Sequence, residues 1–156
     1  MACMEKSRLM SRRRFRVLHL ITKLVVGGAQ DNTLMSVERL DRNQFEVHVA
    51  GGPGEGVERA HQVSDQLFLM SRLQRDPRPI QDLMALRDIF LLLRDQRYDI
   101  VHTHSSKAGI LGRLAARLAG VPSVVHTVPG WAFHDQAFPS ALRGVYLQME
   151  RLAARF

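Results

Sequence analysis

Small and polar residues stand at two junctions where an apolar run gives way to a helical pattern. Gly27 and Gly28 follow the first run, RVLHLI. The second junction follows the run YDIVHT and carries His104, Ser105, Ser106 and Lys107. Helix N-termini offer free N–H groups and the positive end of the helix dipole, and in open α/β sheets such junctions line the ligand site. These residues therefore predict a binding cleft suited to anionic groups.

The elements that must position these residues alternate along the chain. Short apolar runs typical of strands cover 16–21, 45–50, 66–70, 98–103 and 123–127. Helical spacing of apolar residues is found in 29–40, from about Ile80 onward, between Ser105 and Gly120, and in 142–156. Because strands alternate with helices, we predict parallel βαβ units. The expected fold class is α/β, with a Rossmann-like doubly wound, mostly parallel sheet.

Local signals give finer expectations. Ser105 or Ser106 is expected to cap the helix that follows it. The glycine-rich stretch GGPGEG at 51–56 predicts a mobile loop. Two helical stripes are expected to face the sheet, namely Leu83, Leu86, Ile89, Phe90 and Leu93, and then Ile110, Leu111, Leu114 and Leu118.

Length and charge favour one domain with a basic leader. The 156 residues suffice for one sizeable core. Residues 1–16 hold six basic residues and one acidic residue, so they supply five of the seven net positive charges. We therefore expect a disordered basic tail over 1–15 and a nearly balanced domain over 16–156. A basic RNA-binding protein is disfavoured, because aromatic and basic residues do not interleave beyond the tail.

The chain has the composition expected of a cytoplasmic protein. It carries no apolar run long enough for a signal peptide core or a membrane span. Its one cysteine, Cys3, lies in the basic tail and offers no disulfide framework and no cysteine-based metal site. The tail could also hold the protein at the inner, anionic face of a membrane. A solvated leader is the favoured interpretation, since the tail lacks aromatic anchors.

Three segments, in this order and spacing, resemble the N-terminal domain of family 4 glycosyltransferases, the retaining enzymes of the GT-B fold. They are VVGGAQ, YDIVHTHSSKAGILGRLAARLAGVP and VVHTVPGWAFHD. The resemblance runs from about Arg16 to the end of the chain. It implies two Rossmann-like domains facing a cleft, with the acceptor largely on the N-terminal one and the nucleotide sugar on the other. It also implies sugar transfer to a saccharide or lipid-linked acceptor without a metal or other cofactor.

The resemblance assigns roles to residues at both junctions. Gly27 and Gly28 match the loop that lets backbone amides approach the donor phosphates, although a tight turn alone would also require glycine there. The acceptor-binding residues that it implies are His104, Ser105, Ser106, Lys107, Gly130 and Trp131. The alternative for the second junction is helix capping by Ser105 with a solvated Lys107.

Pro129 is a departure from the family pattern. Related sequences usually carry a histidine immediately before the glycine of this segment, near the reacting sugar. Proline has no titratable group and no N–H donor. His134, in a predicted loop, is the surviving candidate for a catalytic role, whereas His126 lies inside an apolar strand and is expected to be packed there. Trp131 and Phe133 could stack on a sugar or lipid, or could cover the core.

The resemblance also implies a donor domain with two glutamates separated by seven residues, and Glu150 has no such partner in this sequence. We therefore expect residues 1–156 to be inactive alone. A non-catalytic binding fragment, or half of a split enzyme that needs a partner chain carrying the donor domain, is the alternative. A nicotinamide-dependent oxidoreductase is disfavoured because GGAQDN is not GxGxxG and the second strand ends in VAGGPG without an acidic residue.

Overall fold

The computed structural model describes residues 13–128 and 140–155. Five strands alternate with helices along these residues. The strands are β1 (Phe15–Lys23), β2 (Phe45–Gly52), β3 (Gln66–Leu69), β4 (Ile100–His104) and β5 (Ser123–Thr127). The helices are α1 (Gly28–Arg39), α2 (Val57–Val63), α3 (Pro79–Gln96), α4 (Ser106–Ala119) and α5 (Ser140–Ala153). The described elements confirm the predicted α/β class and the expected number of strands.

The five strands form one parallel sheet in the order β3-β2-β1-β4-β5. The chain fills the sheet from β1 outward on one side as far as β3, and then crosses back to place β4 on the other side of β1. The order therefore reverses between β1 and β4. In doubly wound sheets the ligand crevice lies outside the carboxyl ends of the strands at this point.

Each face of the sheet carries its own hydrophobic core. On one face Leu18, Leu20 and Val101 pack with buried residues of α3 and α4. On the other face Ile21, Val47 and Val49 pack with Leu34 and Val37 of α1. Successive strand residues point to opposite faces, and β1 is covered on both sides, so its central residues form the continuous apolar run seen in the sequence.

The stretch at 51–56 begins within a strand. Gly51 and Gly52 are the buried end of β2, and the short helix α2, which the sequence pattern did not predict, begins at Val57. A Cβ at Gly52 would lie 2.3 Å from the carbonyl oxygen of Leu73, and one at Gly54 would lie 2.1 Å from that of Leu24. These glycines are required for close backbone packing, and Gly51 and Gly52 belong to β2 where a loop was expected.

The predicted helix stripes are partly wrong. Leu83 is 67% exposed and Leu118 is 61% exposed, and both line an open apolar groove of about 520 Å³ between α3 and α4. The residues of α3 that are buried are Ala85, Ile89 and Leu93. Those of α4 are Ala108, Gly109, Gly112, Arg113, Ala115 and Ala116. Helix α4 thus lies close to the sheet through small residues, and its leucines occupy the flanks.

The last helix docks on α4 through a buried ion pair. Arg113 donates to the Glu150 carboxylate at 2.5 Å, with side-chain exposures of 7% and 11%. The apolar residues Val145, Met149 and Leu152 of α5 are exposed. Among the described residues, no helix combines the length and apolar character needed to span a bilayer.

The basic segment at the start of the chain partly belongs to the domain. Arg13 pairs with Asp99 at 2.7 Å, and Arg16 lies in β1 and pairs with Glu46 at 2.9 Å. The tail expected over 1–15 therefore contacts the domain from Arg13 onward. Residues 1–12 lie outside the described part of the chain.

Candidate functional site

The two polar junctions follow neighbouring strands where the strand order reverses. β1 and β4 are direct neighbours, and Ile21 is the register partner of His104, so the loops that leave their carboxyl ends lie side by side. Gly27 precedes α1 and Ser105 precedes α4. Gly27 has φ 155°, a backbone conformation that side chains other than glycine rarely adopt, whereas Gly28 has no such requirement. Two helix N-termini therefore face the predicted crevice.

Ser105 does not cap α4 with its side chain. It has φ 69°, an uncommon conformation for a residue with a Cβ, and its hydroxyl lies 2.7 Å from the hydroxyl of Thr22 at the end of β1. The Thr22 hydroxyl in turn accepts the Ala108 N–H at 3.1 Å. The cap of α4 is therefore supplied by β1, which corrects the expected capping by Ser105 or Ser106 and ties the two junctions together.

Lys107 is paired, which corrects the alternative that left it solvated. Its Nζ lies 2.8 Å from an Asp82 carboxylate oxygen and also donates to the Asp76 carbonyl, and its side chain is 10% exposed. The ammonium group thus joins the loop before α3 to the start of α4. A ligand that bound Lys107 directly would have to compete with Asp82.

His104 belongs to a group of three histidines. His19 and His102 are register partners on β1 and β4, and His104 follows two residues later, so all three rings lie on one face of the sheet. His19 Nδ1 and His104 Nε2 are 3.1 Å apart, and both residues are 2% exposed. The His102 Nε2 lies 2.8 Å from the Thr127 hydroxyl, and His102 is only partly buried.

Burial keeps this histidine group neutral. Desolvation, reinforced by the neighbouring His102, lowers the pKa of His19 to about 3. The same causes lower the pKa of His104 to about 2, and desolvation lowers that of His102. A neutral imidazole carries one free lone pair, so the rings can accept hydrogen bonds or bind a metal at neutral pH.

His126 is packed, as its position in the apolar strand predicted. It lies on the opposite face from the histidine group, where its Nδ1 is 2.9 Å from the Thr103 hydroxyl. Gly109 of α4 faces its ring so closely that a Cβ there would lie 2.3 Å from His126 Cε1. Burial lowers the pKa of His126, and the positive charge of Arg113 lowers it further.

The remaining predicted site residues lie outside the described residues. They are Pro129, Gly130, Trp131, Phe133 and His134. The catalytic role of His134 and the acceptor-binding roles of Gly130 and Trp131 stay predictions. Of the predicted set, Gly27, Gly28 and the segment 104–107 lie at or beyond the carboxyl ends of the neighbouring strands β1 and β4.

The comparisons with known proteins agree with this geometry. A model of the glycosyl transferase 4-like domain matches residues 27–156. The chain belongs to this family. Two curated relatives are similar to it. One is the UDP-Gal:alpha-D-GlcNAc-diphosphoundecaprenol alpha-1,3-galactosyltransferase of Escherichia coli, 38% identical over 142 residues, 91% of this chain. The other is the capsular polysaccharide biosynthesis glycosyltransferase CapM of Staphylococcus aureus, 26% identical over 115 residues, 74% of this chain.

This glycosyl transferase 4-like domain corresponds to part of those relatives. It covers 36% of the E. coli protein and 29% of CapM, so it spans about a third of the curated relatives it matches. A solved glycosyltransferase from Rickettsia africae superimposes with a TM-score of 0.62 at 17% identity, over 86% of this chain and 34% of that one. The fold is thus shared with GT-B glycosyltransferases, of which this sheet corresponds to one half.

Two features of the site were missed from the sequence. Thr22 lies inside the strand run and showed no sign of capping a helix 86 residues later. His19 and His102 were interpreted as strand residues and His104 as the first residue of the junction, whereas β4 extends to His104 and so places both of its histidines on one face. An alternation count along both strands would have found that pair, but the pairing of β1 with β4 was needed to add His19.

Proposed function

We propose that this domain forms the acceptor-side wall of a retaining glycosyltransferase. The acting enzyme would transfer a sugar from a nucleoside diphosphate sugar to a saccharide or lipid-linked acceptor. The observation that supports this most strongly is that Gly27–Gly28 and the segment 104–107 lie at or after the ends of the neighbouring strands β1 and β4 at the reversal of strand order. Two helix N-termini there can stabilise developing negative charge without a metal.

Gly28 is proposed to approach the donor phosphates through its backbone. A Cβ at Gly28 would meet nothing within 4 Å, so a methyl group there fits within the domain. The lack of a side chain is therefore not required for folding at Gly28, unlike at Gly27. A phosphate site would explain glycine at this position, because the absence of a side chain leaves the backbone amide of Gly28 open to phosphate oxygens.

The acceptor is proposed to be a saccharide linked through a diphosphate to a polyprenol. The name of the E. coli relative specifies such an acceptor, and its identity of 38% to this chain supports the same class here. Ser105 and Ser106, at the start of α4, are the polar groups proposed to meet the diphosphate or the first sugar. His104 is buried, so its proposed contribution is to position the backbone before Ser105.

Transfer tests this function. Residues 1–156, purified alone and also fused to the C-terminal part of the E. coli relative, are incubated with UDP-galactose and a short-chain GlcNAc-diphosphoprenol. We expect product from the fusion and none from residues 1–156 alone. In titrations, residues 1–156 are expected to bind the acceptor analogue but not UDP-galactose. Binding of UDP-galactose with no acceptor binding would contradict the acceptor-side assignment.

Gly28→Ala in the fusion tests the phosphate role, with Gly144→Ala as a matched control. Neither added methyl group meets a neighbour within 4 Å. We expect Gly28→Ala to raise the KM for UDP-galactose and to leave the KM for the acceptor unchanged. The Gly144→Ala fusion should behave as the parent. Equal kinetics for both variants would remove Gly28 from the donor site.

A cytoplasmic location with peripheral contact at the inner face of the membrane is proposed as well. Lys6, Arg8 and Arg12 precede the described residues, and each basic residue near an anionic surface contributes about 1 kcal/mol. Sedimentation with vesicles of phosphatidylglycerol should fall when these three are replaced by glutamine.

A partner chain that carries the donor half is the alternative to a single two-domain protein, and affinity purification of the tagged chain from its own cells would show it.

A further inference from the structure

The histidine group on β1 and β4 has the composition of a metal site. One ring nitrogen from each of His19, His102 and His104 lies within 4.8 Å of one from each of the others. The Nε2 of His19 is buried and has no hydrogen-bond partner. The ligating nitrogen of His19 would be Nδ1, which faces His104 Nε2, so this Nε2 would carry the proton of the bound ring. We propose that these three histidines bind a divalent transition metal of the Zn²⁺ class.

The spacing suits tetrahedral coordination. Zn–N bonds of about 2.0–2.1 Å place two ligating nitrogens about 3.3 Å apart. His19 Nδ1 and His104 Nε2 are already 3.1 Å apart. His102 is the least buried of the three rings and brings a ring nitrogen within 4.8 Å of the other two. Three neutral imidazoles leave the fourth coordination position open to water or to an anionic oxygen.

The surroundings orient one of the ligands. The Thr127 hydroxyl, 2.8 Å from His102 Nε2, can accept a hydrogen bond from the N–H of that nitrogen. The other ring nitrogen, Nδ1, then carries the lone pair that a metal would bind. Such a partner on the second ring nitrogen is typical of metal-binding histidines.

The position of the site connects it to the crevice. His104 is the last residue of β4 and directly precedes Ser105, and His19 lies on β1, whose Thr22 caps α4. A bound ion would therefore cross-link the two strands at the reversal of strand order. Because the metal would bind the folded chain alone, it should also raise the midpoint of thermal unfolding.

Metal binding by the purified full chain tests the proposal, with Cys3→Ser in every sample so that the thiol does not bind the ion. Equilibrium dialysis with Zn²⁺ should give one ion per chain. His102→Gln should weaken binding by more than about 100-fold, and Thr127→Val, which keeps all three ligands, by about 10-fold. The matched control is His61→Gln, which removes an exposed histidine on α2 and should bind as the parent does.

The visible absorption spectrum of bound Co²⁺ tests the coordination without replacement of any of the three histidines. We expect the parent chain to develop the intense visible bands of four-coordinate Co²⁺, and Thr127→Val to need a higher Co²⁺ concentration for the same bands. A weak six-coordinate spectrum, or equal Zn²⁺ affinity in the parent and His102→Gln, would overturn the proposal. If His102→Gln loses its native circular dichroism, the Thr127→Val series and the Co²⁺ spectrum decide.

Discussion

At the scale of single residues, the Thr22 hydroxyl links the end of β1 to the start of α4. It accepts the buried Ala108 N–H and contacts the Ser105 hydroxyl. Thr22→Val keeps the shape but leaves that N–H without an acceptor, so we expect a loss of about 1–3 kcal/mol in the free energy of unfolding. Urea denaturation measures it. Ser36→Ala, which removes an exposed hydroxyl bonded to a helix carbonyl, should change stability by less than about 0.5 kcal/mol, and an equal loss in both variants would refute the cap.

His48 gives the stability of the domain a dependence on pH. Its ring lies between the Tyr98 hydroxyl at 2.8 Å and the Glu46 carboxylate at 3.1 Å, with Arg16 and Asp65 as the other charged groups that act on it. Burial lowers the pKa of His48 below 6.5, although the negative charge of Glu46 raises it in part. The unfolded chain therefore takes up a proton at this residue before the folded chain does, so this contribution to stability is lost as the pH falls below about 6.5.

His48→Gln removes that titration and keeps an amide that can replace both hydrogen bonds. Between pH 6 and pH 5 we expect the slope of unfolding free energy against pH to decrease by up to about 1.4 kcal/mol per pH unit. Urea midpoints measured across this range check it. The matched control is His61→Gln, which removes an exposed histidine on α2. An unaltered slope in His48→Gln would mean that His48 is protonated in the folded state.

At the scale of elements, α4 depends on glycine where it crosses the sheet. A Cβ at Gly112 would lie 2.6 Å from both Leu20 Cδ2 and Thr103 Cγ2. Gly112→Ala should therefore destabilise the domain by about 1–3 kcal/mol despite the better helix propensity of alanine. Gly144→Ala, in α5 with no neighbour within 4 Å, should instead stabilise it by up to about 1 kcal/mol. Thermal unfolding of the two variants should shift in opposite directions, and a parallel shift would contradict the close packing of α4.

The same element shows how far the sequence could predict the fold. Apart from the short helix α2, the order of strands and helices followed from hydrophobic periodicity and from the glycines and prolines between the elements, because buried parallel strands and amphipathic helices leave strong local patterns. The face of α4 did not, since the prediction ranked Leu114 and Leu118 by hydrophobicity, whereas the sheet is approached through Gly109, Gly112 and alanines. The site was predicted only in part for a related reason. Gly27 and Ser105 mark their own junctions, but the partners of Ser105 and His104 come from β1, and sequence patterns do not give such long-range pairings.

At the scale of the whole molecule, one buried ion pair fastens α5 to the rest of the domain. Arg113 bonds both the Gly109 carbonyl and the Glu150 carboxylate, and both charged side chains are nearly inaccessible to water. Removal of one partner would leave a buried charge without compensation. Glu150→Leu should therefore destabilise the domain by about 3–5 kcal/mol, whereas the double variant Arg113→Met with Glu150→Leu should regain most of that loss.

The exposed pair of Arg59 and Asp31, 2.7 Å apart, is the control for this cycle. Asp31→Asn should cost less than about 1 kcal/mol, because water already solvates both charges. Unfolding followed by urea and by proteolysis within α5 distinguishes global from local effects. If α5 is integral to the domain, Glu150→Leu lowers the urea midpoint of the entire chain in one transition. Faster cleavage in α5 with an unchanged midpoint would show instead that the helix detaches alone, and that the sheet with α1–α4 is the stable unit.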